Sequence, residues 1–255
     1  LVDFHMHSVF SDGVETPKDL LRHALDCNVS MMALTDHDEI DCIKALRTAQ
    51  QELDPNETIK IINGCEFSAD YKDKSIHILG YCFDETNKEI NDFITFFKRK
   101  REERIDEIIR RCNNEGYHIT KEELIKQFPD TKAYGRPHIG KLLIDGGYAK
   151  DVNDVFKGIL RKGSPCYVPK VKVEVQHIID IIHKAGGLAV MAHPKLITSD
   201  EYVLEMLEYD FDGIEVYHLK HNDEDIERYK ALAKDHSLFI TGGSDYHGIP
   251  EKKPD

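Results

Sequence analysis

The chain has 255 residues, of which 40% are hydrophobic and 32% charged, a composition that fits one large soluble domain or a domain carrying an insertion. Its formal net charge of −13 disfavours a partner such as long duplex DNA. The charge is unevenly distributed, because residues 98–172 hold 18 basic and 11 acidic residues, a local charge of +7 that leaves −20 for the rest. A basic segment therefore lies within an acidic protein.

The six cysteines include no C-x-x-C pair, so we expect reduced thiols and a cytoplasmic protein. No apolar run approaches the roughly 20 residues that a membrane span needs. The first residues, LVDFHMH, lack the basic and apolar regions of a signal peptide. We therefore expect neither secretion nor membrane insertion.

Short apolar runs alternate with helix-length periodic segments in the first third of the chain. Thr16 is the expected N-cap of the first helix, with Pro17 at its first position. The patterns predict strands at residues 1–7, 29–35, 58–67 and 75–83, with helices at 17–27 and 40–53. The strand at 75–83 is a candidate partner of the strand before it.

The pattern then becomes helical, and no convincing strand is found across residues 86–165. The expected helices are at residues 87–114, 121–127, 136–145 and 152–160. This block is predicted to be an all-helical insertion.

Alternation resumes afterwards, with helices expected at residues 174–185, 199–207 and 223–235 and strands at 187–192, 213–217 and 238–242. Strands that alternate with helices imply parallel pairing. A chain of this length could close such a sheet into a barrel or leave it doubly wound, and periodicity alone does not choose.

Histidines and carboxylates recur at or just after the C-terminal ends of the predicted strands, where (β/α) barrels assemble their active sites. His5 and His7 share one face of an extended strand, since side chains alternate along it. The other clusters are S-D-G at 11–13, T-D-H-D at 35–38, Glu66, His77, A-H-P at 192–194 and G-S-D-Y-H at 243–247.

Any one of these residues is more often structural than a metal ligand. Together, six histidines and three carboxylates would be costly to bury without a metal ion to pair them. Asp36 and Asp38 flank His37, and either an orienting role towards imidazoles or, for Asp38, helix capping fits the sequence.

The order H-x-H, S-D-G, T-D-H-D, Glu, His, A-H-P and G-S-D-x-H resembles the PHP (polymerase and histidinol phosphatase) family of metal-dependent phosphoesterases. The resemblance implies a distorted (β/α)7 TIM-like barrel made by residues 1–85 and 166–255. Residues 86–165 would then be a helical insertion that forms a substrate-side lid. The motifs G-R-P-H at 135–138, R-K-G-S-P at 161–165 and Y-V-P at 167–169 resemble the TrpH/YciV-like branch. Enzymes of that branch remove the 3′-phosphate from nucleoside 3′,5′-bisphosphates, and some trim RNA from its 5′ end.

By the same resemblance, the chain would hold up to three divalent metal ions, with Mn, Fe or Zn suited to imidazole and carboxylate ligands. The first set is His5, His7, Glu66 and Asp245; the second is Glu66, His77 and His193; the third is Asp12, His37 and His247. Catalysis would proceed by a metal-bound hydroxide, with Glu66, His193 and Asp245 acting through the ions that they bind. No side-chain nucleophile is predicted.

The expected partner is a small phosphorylated substrate, a nucleotide or a short oligonucleotide. Arg136 is the first candidate for the phosphate that is not cleaved, because a guanidinium binds phosphate oxygens in pairs. The other candidate substrate-binding or pocket residues are Arg161, Lys162, His218, His138, His221 and Tyr134. The charged run at 98–111 is more simply a solvated helix face with i, i+4 ion pairs.

Three alternatives stay open. The first is another small-molecule phosphatase of the same fold, for example one acting on histidinol phosphate. The second is an amidohydrolase, which would need a bridging carbamylated lysine where this chain has Glu66. The third is a non-catalytic PHP module, which the filled ligand positions disfavour.

Overall fold

The computed structural model describes residues 1–72, 74–129, 131–132 and 134–248. They group into two units, one formed by Leu1–Ile94 and Lys172–Asp255, the other by Thr95–Val171. The first unit contains every described strand. Its strands are β1 (Val2–Asp3), β2 (Met31–Met32), β3 (Lys60–Ile61), β4 (Gly64–Tyr71), β5 (Lys74–Tyr81), β6 (Leu188–Met191), β7 (Gly213–Tyr217) and β8 (Phe239–Gly242).

The strands form two sheets. The first has the order β1-β2-β3 and is parallel throughout. The second has the order β4-β5-β6-β7-β8, in which β5 runs antiparallel to both neighbours while β6, β7 and β8 are parallel. The predicted α/β alternation is confirmed as a mixed α/β fold. The predicted pairing of the strand at 75–83 with the strand before it is confirmed, and it is antiparallel because only two residues connect β4 to β5. The parallel pairing expected from strand–helix alternation is wrong between β5 and β6, which are antiparallel.

The first strands are shorter than predicted. The run expected at residues 1–7 is a ladder only over Val2–Asp3, and the run expected at 58–67 divides into β3 and β4. Beyond these ladders the chain pairs through single parallel bridges, Met6 with Tyr246 and His37 with Glu66. Across the described residues the ladders thus make two sheets linked by isolated bridges, and no single closed barrel ladder is present.

Helices cover the sheets of the first unit. They are α1 (Pro17–Asp26), α2 (Asp41–Leu53), α7 (Val175–Lys184), a short 3-10 helix (Pro194–Ile197), α8 (Asp200–Met206) and α9 (Asp223–Asp235). The Thr16 hydroxyl accepts a hydrogen bond from the Asp19 amide, so the expected N-cap is confirmed. Helix α7 buries Ile178, Ile179 and Ile182. The absence of a side chain at Gly80 makes room for this packing, since a Cβ there would lie 3.2 Å from the Ile182 side chain.

The second unit is helical in its described residues. Helix α3 (Lys88–Asn114) begins in the first unit, and α4 (Lys121–Gln127), α5 (Arg136–Asp145) and α6 (Val152–Lys157) follow. Ile105, Ile108, Ile139 and Leu143 are at most 1% exposed within its core. The predicted absence of strands between these helices is confirmed for the described part of this segment. In the described parts of the chain, no helix combines the length and apolar character needed to cross a membrane.

Candidate metal centre

Two pairs of predicted ligands follow the ends of strands that approach each other. His5 and His7 come just after β1, and both are fully buried. Asp245 and His247 come just after β8, whose end approaches His5 so closely that a Cβ on Gly243 would lie 2.3 Å from the His5 Cβ. Only glycine permits that approach, which brings H-x-H and D-x-H motifs from opposite ends of the sequence into contact.

The first predicted set surrounds one oxygen of Glu66. Glu66 Oε2 lies 3.5 Å from His5 Nε2 and 3.2 Å from His7 Nε2. Asp245 Oδ1 lies 3.6 Å from His5 Nε2 and 3.4 Å from His7 Nε2. The structure therefore places all four residues of this set around one small volume.

The second predicted set faces the other oxygen of the same carboxylate. Glu66 Oε1 lies 2.8 Å from His77 Nδ1 and 3.0 Å from His193 Nε2. Those two ring nitrogens are 3.3 Å apart. Glu66 thus presents one oxygen to each set, the arrangement that a bridging carboxylate requires.

The third predicted set gathers around Asp12. Its Oδ1 lies 3.2 Å from His247 Nε2, and its Oδ2 lies 3.8 Å from His37 Nε2. His7 joins this set as well, because its Nδ1 is 3.6 Å from Asp12 Oδ1. His7 and Glu66 therefore connect the three sets, and Glu66 Oε2 also lies 3.0 Å from His37 Nδ1.

The carboxylates set the protonation of these groups in the absence of a cation. Burial alone would lower the pKa of His7, but the nearby carboxylates of Asp245 and Glu66 raise it to about 10. Burial would raise the pKa of Glu66 and of Asp12, yet the surrounding imidazoles hold both well below their usual range. Burial is the larger effect at His77 and lowers its pKa to about 4. Without a cation, ionised carboxylates and protonated imidazoles therefore largely balance one another in this cluster.

A divalent cation fits these residues. Several of their buried polar atoms have no hydrogen-bond partner among the described residues, namely His5 Nε2, both ring nitrogens of His7, Asp12 Oδ1, His37 Nδ1, Glu66 Oε2 and His193 Nδ1. Leaving buried polar atoms unpaired is costly. The donor set is imidazole and carboxylate without thiolate, which suits Mn, Fe or Zn.

Serine residues anchor the loops that carry the ligands. Asp36 accepts hydrogen bonds from the backbone and hydroxyl of Ser8, at 2.9 and 2.7 Å, and from those of Ser11, at 3.1 and 2.6 Å. Asp38 does the same with Ser68, at 2.7 and 2.9 Å. Asp36 thus holds the turn that carries Asp12, rather than orienting an imidazole as expected.

Helix capping by Asp38 is also not what the structure shows. The N-cap of α2 is Ile40, and the Glu39 carboxylate accepts hydrogen bonds from the amides of Ile40 and Asp41, each at 2.8 Å. Asp38 instead anchors the strand that carries Glu66.

Sequence reasoning missed Glu215, a fully buried carboxylate in β7. Its Oε1 lies 2.9 Å from His5 Nδ1, and its Oε2 accepts a hydrogen bond of 2.7 Å from the His193 amide. A single acidic residue inside the otherwise apolar run G-I-E-V-Y was the signal that could have found it.

Among the predicted pocket residues of the first unit, His218 lies next to a predicted ligand and is buried. Its Nε2 is 3.3 Å from Asp245 Oδ2, while its Nδ1 accepts a hydrogen bond from the Lys220 amide. His221 is also buried, with Nδ1 2.8 Å from the carbonyl of Val216, in a structural contact.

Arg136, the first predicted substrate residue, has other arginines in its neighbourhood. The half-buried Arg136 begins α5, and its guanidinium carbon lies 5.3 Å from the centre of the Phe156 ring. Burial lowers the pKa of Arg104 to about 10, and the charges of Arg136 and Arg101 contribute. An anion bound beside Arg104 would offset the repulsion from these positive charges.

The other residues singled out here differ in their surroundings. Arg161 and Lys162 are exposed. His138 is buried, and its Nδ1 accepts a hydrogen bond from the Gly135 amide at 2.9 Å, which caps α5. The Tyr134 hydroxyl donates to the Phe128 carbonyl at 3.0 Å. The charged run at 98–111 forms the expected local ion pairs, such as Arg111 with Glu107.

Residues 3–235 match the model of the PHP domain family. The chain belongs to the PHP family. The motif order that suggested this resemblance thus led to the correct family.

Relatives named as an exoribonuclease and as a nucleoside bisphosphate phosphatase match over almost the whole chain. The 5′–3′ exoribonuclease Rnm of Escherichia coli is 30% identical over 253 residues, covering 97% of this chain and 85% of the relative. The 3′,5′-nucleoside bisphosphate phosphatase of Chromobacterium violaceum is 29% identical over 255 residues, covering 98% and 88%. The crystal structure of a candidate metal-dependent phosphoesterase from Bifidobacterium adolescentis superposes with a TM-score of 0.84 at 30% identity, covering 98% of this chain and 89% of that one.

These comparisons confirm the enzyme class expected from the sequence, a metal-dependent phosphoesterase of the PHP family. Divalent metal ions are implied by that class. This protein has clusters of imidazoles and carboxylates that could hold such ions.

Proposed function

We propose that the protein is a phosphatase that removes the 3′-phosphate from nucleoside 3′,5′-bisphosphates and also acts on short RNA in the 5′→3′ direction. The observation that carries the proposal is the position of Glu66, whose two oxygens face two separate groups of imidazoles. A carboxylate shared in this way is the centre of a site for several adjacent cations.

In this proposal up to three ions of Mn, Fe or Zn are held by the three sets of side chains described above, with Glu66, His193 and Asp245 at the reacting centre. The bound ions would supply positive charge for the phosphate oxygens and an activated water for in-line attack. Burial of His5, His7 and Glu66 keeps bulk water from these ligands. No side chain is assigned as nucleophile.

The substrate assignment is supported by charge and by the relatives. The relatives' names describe a nucleoside bisphosphate phosphatase and an exoribonuclease. Both substrates carry a phosphate beside the one that is cleaved, and the guanidinium of the half-buried Arg136 has the chemistry to bind it. We assign Arg161, Lys162 and His218 to substrate binding as further proposals.

Three broader assignments accompany this function. The two sheets are proposed to form a distorted (β/α)7 barrel, supported by the bridges Met6–Tyr246 and His37–Glu66. The role of residues 86–165 as a substrate-side lid stays a prediction. A cytoplasmic location is supported by the six cysteines, all of which are free thiols.

The test is phosphate release by Mn²⁺-loaded protein from adenosine 3′,5′-bisphosphate, histidinol phosphate and an aryl phosphate, alongside cleavage of a short 5′-phosphorylated RNA. Metal content is measured on the same sample. Asp245→Ala removes a proposed ligand and is expected to abolish turnover and lower bound metal. Asp235→Asn changes an exposed aspartate at the end of α9 and serves as the matched control.

Selective release from the bisphosphate would support the proposal. Equal rates on all three small esters, or preference for histidinol phosphate, would overturn the substrate assignment while retaining the phosphatase. Full activity of Asp245→Ala would overturn the assignment of the centre.

A further inference from the structure

Strand β7 supplies none of the nine predicted metal ligands, yet it carries a charged side chain, Glu215, that contacts two of them. Glu215 is fully buried in the middle of this strand. Burying a carboxylate is costly unless its oxygens are hydrogen-bonded. The contacts of the two Glu215 oxygens show which groups stabilise it there.

The first oxygen fixes the ring of His5. Glu215 Oε1 lies 2.9 Å from His5 Nδ1. Because an ionised carboxylate can only accept, the proton of a neutral His5 ring is held on Nδ1. The lone pair of Nε2 is then directed towards Glu66 Oε2 and Asp245 Oδ1, at 3.5 and 3.6 Å. Glu215 thus selects the tautomer in which His5 can bind a cation through Nε2.

The second oxygen holds the backbone at His193. The His193 amide donates to Glu215 Oε2 at 2.7 Å. His193 has a φ of 26°, a positive value that side-chain-bearing residues rarely adopt and that costs free energy unless the surroundings enforce it. With the backbone so held, His193 Nε2 lies 3.0 Å from Glu66 Oε1.

We propose that Glu215 is a positioning residue that holds His5 and His193, one on each side of Glu66, in the geometry that binds metal. The proposal rests on the metal centre of the proposed function. It adds Glu215, a residue outside the ligand sets. In this arrangement β7 orients His5 and His193, which lie elsewhere in the chain.

The substitution Glu215→Gln tests this with little change in volume. A glutamine has one accepting oxygen, so it can satisfy His5 Nδ1–H or the His193 amide but not both. We expect the affinity for Zn²⁺ or Mn²⁺ to fall about 10- to 100-fold, as is typical when a partner behind a ligand is removed. Affinity is measured by competition with a chromophoric chelator on the full chain.

A proton resonance gives a readout that a general loss of stability would not move. In Zn²⁺-loaded wild-type protein, the His5 Nδ1–H donating to Glu215 is expected as a downfield imidazole signal, assigned by its loss in His5→Asn. The signal is expected to shift or vanish in Glu215→Gln. Asp54→Asn, which changes another buried carboxylate with several hydrogen-bond donors, is expected to change neither signal nor affinity.

Wild-type affinity and an unmoved signal in Glu215→Gln would overturn the inference while leaving the metal centre intact. A wild-type chain that binds no divalent ion would overturn the proposed function and this inference with it. If Glu215→Gln does not fold by circular dichroism, Glu215→Asp keeps the charge but is one methylene shorter. It is then expected to bind metal more weakly than wild type, and equal binding would contradict the role of Glu215.

Discussion

Asp3 and Ser244 are joined by two hydrogen bonds although 241 positions separate them in sequence. The Ser244 amide donates to Asp3 Oδ1 at 3.0 Å, and its hydroxyl donates to Oδ2 at 2.6 Å. Asp3 Oδ1 also accepts from the His5 amide at 3.2 Å. One carboxylate therefore ties the segment before His5 to the residue before Asp245, so that two predicted ligands share one anchor.

Ser244→Ala is expected to lower the free energy of unfolding by about 1.5–3 kcal/mol, the usual loss for a hydrogen bond to a charged group. Because Asp245 loses an anchor, we also expect the variant to retain less metal during dialysis against a weak chelator. Ser164→Ala is the control, since its hydroxyl donates to the Ile159 carbonyl in the other unit. Equal metal retention in both variants would contradict the anchoring role.

His247→Ala is expected to reduce the bound metal by about one of the up to three proposed ions, because His247 belongs to one predicted set only. Plasma mass spectrometry of protein dialysed after metal loading measures the content. His183→Ala removes a histidine that pairs with Asp212 at 2.7 Å outside the three sets, and it is expected to keep the wild-type content. Unchanged content in His247→Ala would remove the third set from the proposal.

Arg136→Ala is expected to raise the KM for adenosine 3′,5′-bisphosphate about tenfold or more, the effect of losing one charge-assisted phosphate contact. The KM for an aryl phosphate, which has no second phosphate, is expected to change little. Steady-state phosphate release measures both. Arg228→Ala is the matched control, because that guanidinium carbon also lies over an aromatic ring, 4.7 Å from the centre of Tyr229. An equal increase in KM for both substrates would indicate that Arg136 has a structural role instead.

Asp54 stabilises the loop after α2 in a pH-dependent way. Burial by itself would raise its pKa, but hydrogen bonds from the Ile59 and Thr58 amides, the Thr58 hydroxyl and Gln50 lower that pKa to about 2. Since the pKa in the unfolded chain is about 3.9, the stabilisation is complete above that value and is lost as pH falls towards 2.

We therefore expect Asp54→Asn to be less stable than wild type by about 1–2 kcal/mol at neutral pH. The difference is expected to shrink between about pH 4 and pH 2. Urea unfolding at neutral pH and at steps below pH 5 measures it. A difference independent of pH would mean that the ionised form of Asp54 contributes nothing.

The sequence was sufficient to predict those helices whose ends are marked by local features such as capping residues. Thr16 and Pro17 marked the start of α1 correctly, and α4 and α5 have the predicted bounds, because capping and periodicity are local properties. The pairing of β5 with β6 was not predictable in this way, since it depends on contacts between residues more than 100 positions apart.

In the candidate site, too, features set by local sequence were predicted and features set by distant contacts were not. His5, His7, Asp245 and His247 stood out because the i, i+2 spacing of each pair is visible within a short stretch of sequence. Glu215 did not, and Ser244 stood out only as a member of the motif G-S-D-Y-H, because the role of each comes from a hydrogen bond to a distant segment. The acidic residue in the apolar run G-I-E-V-Y marks Glu215 as unusual, but only the folded structure shows which groups it contacts.

The bridge between Met6 and Tyr246 has a consequence for biosynthesis. Ligand candidates lie at residues 5 and 247, so the centre cannot be completed until nearly all of the described chain has left the ribosome. Contacts of such long sequence separation form slowly because a large loop must close first. Nascent chains are therefore expected to acquire their full complement of ions only after translation of the last strand, which makes metal uptake a late event in folding.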